Sequence, residues 1–87
     1  MELLVAKATV THGEDSCVFS LYKDLVHGTW GLYHYSLLIR YREYVHHFIW
    51  IRERGGEYWV CLSDTPYHTH KDLVDKACDR AKVYLLT

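Results

Sequence analysis

Apolar and polar positions alternate through the middle of the chain. Residues 32–41, LYHYSLLIRY, place Tyr33, Tyr35, Leu37, Ile39 and Tyr41 on one side and His34, Ser36, Leu38 and Arg40 on the other. That is the two-residue period of a β-strand. Arg42 and Glu43 turn the chain. Residues 44–52, YVHHFIWIR, alternate again, with Val45, His47, Ile49 and Ile51 opposite Tyr44, His46, Phe48 and Trp50. Arg54-Gly55-Gly56 signals a hairpin, and 57–62, EYWVCL, returns as a further strand. A meander with apolar side chains on both faces is expected to be covered on both. Upstream, 17–22, CVFSLY, has the β-branched and aromatic bias of another strand. A turn-rich stretch with Gly28 and Gly31 separates it from the meander.

Two helices are expected to supply the cover. In 2–9, ELLVAKAT, the positions Leu3, Leu4 and Ala8 fall near one helical face, and nothing breaks the run before Thr11-His12-Gly13. Near the other end Leu73, Val74, Ala77, Cys78 and Ala81 form a helical stripe. Thr69 is the expected cap, Asp72 suits the positive N-terminus, and Lys76, Arg80 and Lys82 suit the negative C-terminus. VYLL at 83–86 closes on the core. The predicted order is helix, four strands, helix. This is an α+β fold, a central antiparallel sheet flanked by two α-helices, in one domain over residues 1–87.

Composition narrows the function classes. The 87 residues are 49% hydrophobic and include eight Tyr, three Trp and two Phe, more aromatic bulk than one small core holds, so some is expected to face a partner. Ten basic against 11 acidic residues give a net charge of -1, which supplies no basic patch for nucleic acid or an anionic membrane. No apolar run reaches membrane-spanning length, and the opening MELLVAKAT lacks a signal-peptide pattern. Cys17, Cys61 and Cys78 are odd in number and far apart, which argues against a disulfide framework and for a reducing, cytoplasmic compartment. A chain that opens on Met and carries no linker is expected to act as a compact stand-alone domain.

Catalytic chemistry finds no anchor. There is no glycine-rich phosphate loop and no motif that joins a nucleophile to a base, so neither an enzyme nor a cofactor is expected. His46 and His47 point to opposite sides of a strand and cannot share a metal. His68 and His70 would share a face if extended, but zinc needs further ligands that no Cys pair supplies. They are expected to be solvated, with no metal bound.

The ordered set YSLLIRY, VHHFIWIRERGGEYWV and YHTHKDLVD resembles a Src-homology-2 (SH2) domain. It is similar, in turn, to that family's third strand, to its fourth strand with glycine turn and aromatic return, and to its approach to the second helix. The likeness covers roughly half the chain well. ELLVAKATVTHGEDSCVFSLYKD fits more loosely, as the end of the first helix and the second strand. The resemblance implies a sheet between two helices and recognition of phosphotyrosine peptides. The family grips phosphate with a second-strand Arg whose planar fork makes two hydrogen bonds. In VFSLYKD, Leu21 or Tyr22 stands in that place, with Lys23 beside it. By resemblance His47 lines the phosphate pocket, while Ile49 stands where the family has a Lys. The phosphate-pocket candidates are therefore His47, Tyr22, Lys23 and Arg40. Phe48, Tyr58 and Tyr67 match the regions that contact the rest of the peptide. With the Arg missing, the expectation is a non-enzymatic adaptor-like module that binds an extended peptide or a protein surface without needing phosphotyrosine. The alternatives are phosphotyrosine binding by a substituted pocket, as in signalling adaptors, and a small homo-oligomer whose exposed aromatics meet each other.

Overall fold

A computed structural model of the chain describes residues 2–25 and 33–86. Among these residues five strands form one antiparallel sheet in sequence order: β1 (Glu2–His12), β2 (Asp15–Leu25), β3 (Tyr33–Tyr41), β4 (Tyr44–Glu53) and β5 (Gly56–Cys61). A single-turn 3₁₀ segment at His68–His70 leads into α1 (Lys71–Lys82), and a second, Val83–Leu86, ends the described chain. The turn-rich stretch with Gly28 and Gly31, and Leu32 after it, lie outside the described residues.

The sheet flanked by two helices is thus corrected to a five-stranded sheet with one helix. The change is at the start of the chain. ELLVAKAT contains good helix formers, yet it is an edge strand paired with β2 from Glu2↔Asp24 to His12↔Asp15. Its apolar spacing also fits a strand, with Ala6, Ala8 and Val10 turned inward. Thr9, Val10 and Thr11 are β-branched and favour a pleated surface. The two-residue turn Gly13-Glu14 folds β1 onto β2, so long-range pairing overrides local helix propensity. Gly13 has φ 64, and open space surrounds its α-carbon. The cost of a side chain there is purely a backbone cost. Gly13→Val should lower unfolding stability by about 1 kcal/mol, read as a shift in the urea midpoint; an unchanged midpoint would contradict the assignment of the turn.

The inner face of the sheet carries the core. Phe19, Leu21, Leu37 and Ile39 are almost wholly inaccessible, and the stripe Leu73, Val74, Ala77, Cys78 and Ala81 of α1 packs on them. The helix lies over β1, β2 and β3. Beyond its reach, β4 and β5 use aromatic bulk: Trp50 and Trp59 meet edge to face at 5.0 Å, and Trp59 Nε1 donates to the Cys78 carbonyl at 3.1 Å. The expected cap at Thr69 is replaced by His70 in the N-cap position, without a side-chain cap bond. Thr69 Oγ1 instead meets His70 Nδ1 at 3.1 Å.

Strand alternation sends the other half of the side chains to the outer face. No described element covers that face, so the expectation of a helix on each side is corrected here too. Val18, Leu38, His47, Ile49, Ile51 and Val60 are half-buried. Val45 is 39% exposed and Tyr58 44%.

Candidate functional site

The outer face is set by register. Ser20 pairs with Leu38, and Leu38 with His47. One step along, Tyr22 pairs with Ser36, Ser36 with Ile49, and Ile49 with Val60. Serines therefore stand directly beside the branched side chains Leu38 and Ile49. No Asp, Glu, Lys or Arg points outward from β3, β4 or β5 between Arg40 at one end and Glu53 at the other. A charge-poor apolar centre with a polar rim has the composition of an interface core. Surface residues scattered singly need no explanation, whereas a contiguous apolar sheet face does.

The register also sorts the residues singled out from the sequence. Tyr22, Arg40, His47 and Tyr58 lie on the outer face. Lys23, Phe48 and Tyr67 belong to the other side. Lys23 sits 6.0 Å from the Tyr35 ring centroid, Phe48 is buried in the core, and Tyr67 meets Phe48 edge to face at 6.0 Å. Neither the phosphate candidates nor the peptide candidates form one surface. Arg40 is exposed, with no ion-pair partner among the described residues. The His47 amide donates to Ser63 Oγ at 3.2 Å, and its carbonyl accepts from Leu62 N–H at 2.7 Å. These bonds keep the chain beyond β5 alongside β4. The Tyr58 hydroxyl donates to Glu53 at 2.9 Å, and this bond pushes the phenol pKa upward.

A second arrangement lies at the seam between sheet and helix, and the sequence reading missed it. His46 is fully buried on the inner face of β4, and His70, expected to be solvated, is only 7% exposed. Their Nε2 atoms are 2.8 Å apart. Tyr44 stacks near both rings, and Tyr41 and Tyr67 close the sides. Burial lowers the pKa of both histidines, and each one's neighbours add to or oppose this: His70 further disfavours charge on His46, while Asp15 partly restores it on His70. The network assigns the protons. His46 Nε2–H donates to His70 Nε2, and His70 Nδ1–H donates to Thr69 Oγ1. His46 Nδ1, buried without a partner, is then a bare acceptor rather than an orphaned donor. The available signal was the position of His46 between Tyr44 and Phe48 on the alternation that builds the core. A buried imidazole there requires a polar partner.

An open cleft of about 310 Å³ beside the start of α1 is lined by His12, Asp15, His68, His70 and Asp72 among others. Within it His12 Nε2 lies 3.9 Å from Asp72, and Asp15 lies 3.6 Å from Arg42, which is outside the lining. Among the described residues no group of three or more His, Cys, Asp or Glu is placed to hold a metal. Burial pushes the Cys78 thiol up to about 12 and raises Cys17 as well, so neither is a ready thiolate. All three cysteines are free. No helix among the described residues is long and apolar enough to cross a membrane. Comparison with family models, with curated proteins and with solved structures returns no match. Nothing from those comparisons adds to the SH2 resemblance, and the sheet with one helix departs from that architecture.

Proposed function

We propose that the protein is a non-enzymatic protein-interaction module that docks another polypeptide on the outer face of its sheet. One observation carries this reading: a five-stranded sheet has one face closed by α1, while no described element covers the other, which is apolar at its centre. The edge of the sheet is a weaker candidate. β1 is long, and Leu3 and Leu4 at its start are exposed, but its register shifts between Leu4 and Ala6. In addition, Lys76 Nζ bonds the Thr11 carbonyl at 2.6 Å. A bulge and an occupied backbone group are devices that blunt an edge against strand addition. The outer face has no such device. Phosphate is not needed for docking there, since Arg40 is the one outward-facing Arg or Lys on β3–β5 and a phosphate grip takes a pair. The free cysteines suit a reducing cytoplasm.

A displayed random-peptide library panned on sparsely immobilised protein tests this reading, with the Leu38→Lys/Ile49→Lys variant as counter-target. Ligands should be selected whose binding the variant abolishes, and phosphorylating their tyrosines should not be required. Ligands that bind the variant equally well, or that engage the His12–His68 cleft, would contradict it.

A further inference from the structure

We infer that the partner seated on the outer face is a second copy of this chain, giving a face-to-face β-sandwich dimer with a two-fold axis running across the strands. The inference rests on the proposed docking face and names its occupant. Three features of that face are self-complementary.

The first is relief. Leu38 and Ile49 project beside the small residues Ser20 and Ser36 in neighbouring positions of the register. A two-fold axis across the strands between the Leu38 and Ser36 rows lays each strand over its own copy, so each Leu38 meets the partner's Ser36 and each Ile49 the partner's His47. Inner faces of packed sheets interdigitate in this way, about 10 Å apart.

The second is charge. Arg40 marks one end of the face, opposite Val18 and Val45. Asp24, opposite His34, and Glu53, beyond Ile51, mark the other end. An axis across the strands reverses strand direction, so each Arg40 lies over the partner's acidic end. An axis along the strands would bring Arg40 to Arg40 instead. Lys7 of β1 stands in the Ser20 row at the rim, and its long stem lets the ammonium reach water. A net charge of -1 offers no long-range repulsion between copies.

The third is size. Five strands about 4.8 Å apart and roughly eight residues long cover about 600 Å² per copy, or roughly 1,200 Å² for the pair. That reaches the lower bound of specific interfaces, about 1,200 Å². Interfaces at this low end of the size range are characteristically weak, so a dimer in the micromolar range is expected.

Sedimentation equilibrium from about 1 to 100 µM tests the proposal, the range where a micromolar dimer dissociates. The wild-type mass should rise from 10.3 kDa towards twice that value. Ile49→Lys should remain a monomer with an unchanged near-ultraviolet circular dichroism spectrum. Arg40→Asp and Asp24→Arg alter exposed positions. Each should weaken dimerisation about tenfold, a change of about 1.4 kcal/mol, and the two together should restore most of the loss. These variants decide the matter if Ile49→Lys fails to fold. A wild-type protein that stays monomeric throughout, or an Ile49→Lys variant that still dimerises, overturns the proposal. So does a dimer on which the charge reversals and their combination have no effect. A monomer that still selects face-dependent peptides would retire the dimer alone and leave the docking face standing. A monomer that selects none would retire both.

Discussion

Phe19→Ala should cost about 3–5 kcal/mol of unfolding stability, as expected for an aromatic ring removed from a closed core. Phe19 is 1% exposed at the centre of β2. It lies on the sheet face on which α1 packs, and its ring is 6.4 Å from that of Tyr84 beyond the helix. A fully buried ring with rigid strands on both sides leaves a cavity that neighbours fill poorly. An 87-residue domain has only about 5–10 kcal/mol to lose, so the variant should be largely unfolded at physiological temperature. Leu37→Ala, one strand over and equally inaccessible, should cost about 2–5 kcal/mol. Urea titration followed by tryptophan fluorescence reads both, since Trp50 and Trp59 pack at the margin of the same core. A loss below about 1 kcal/mol at Phe19 would mean that the helix does not close this face.

Acid should weaken the fold through His46 and His70. Both are buried, and burial lowers their pKa in the folded chain below the ordinary value of 6.5. The unfolded chain therefore takes up protons from about pH 6.5 downward while the folded chain does not. Stability is fully present above that value and falls with pH until the folded pair itself titrates. The slope is at most about 1.4 kcal/mol per pH unit for each histidine. The geometry gives the physical reason. With both rings protonated, two N–H groups would point at each other across 2.8 Å. Around them stand Tyr41, Tyr44 and Tyr67, with Arg42, Asp15 and His68 farther out. Of the surrounding groups only Asp15 favours a charged His70. Between about pH 7.5 and 5.0 the wild-type urea midpoint should drop, with a total loss of at most about 4 kcal/mol. His70→Leu alone strands His46 without its acceptor and should cost about 2 kcal/mol even at neutral pH. His46→Leu/His70→Leu replaces both partners by apolar groups. It should recover much of that loss and flatten the pH dependence. A double variant that keeps the full wild-type slope would place the titration elsewhere.

Legibility in the sequence varied with how local the cause was. The strands from Tyr35 to Cys61 follow from strict alternation and turn residues, because side-chain period and turn geometry act over a few residues. The buried stripe of α1, Leu73 to Ala81, was equally plain from its spacing. β1 was not. ELLVAKAT carries helix formers, and its strand state depends on a hairpin partner beginning at Asp15. The Gly13-Glu14 turn was the available signal. Apolar residues on both faces of the meander led to the expectation that each face would be covered by a helix. Since ELLVAKAT is a strand, α1 is the only α-helix among the described residues, and the face it leaves uncovered becomes the candidate site. That same conversion separates the sequence-derived candidates. Tyr22, Arg40, His47 and Tyr58 share the open face, whereas Lys23, Phe48 and Tyr67 do not. The His46–His70 contact was invisible because it joins residues 24 apart through tertiary packing alone.

The central claim is that the outer face is a contact surface rather than a solvated one. Paramagnetic relaxation of methyl resonances by a soluble nitroxide tests it most directly, on the wild-type protein at concentrations where the dimer is expected. The account predicts that the methyls of Leu38, Ile49 and Val60 are shielded as strongly as those of core Leu37 and Ile39. Val83, 65% exposed beyond the helix, should relax strongly. Outer-face methyls that relax as fast as Val83 would contradict the account, because the face would then be bathed in solvent.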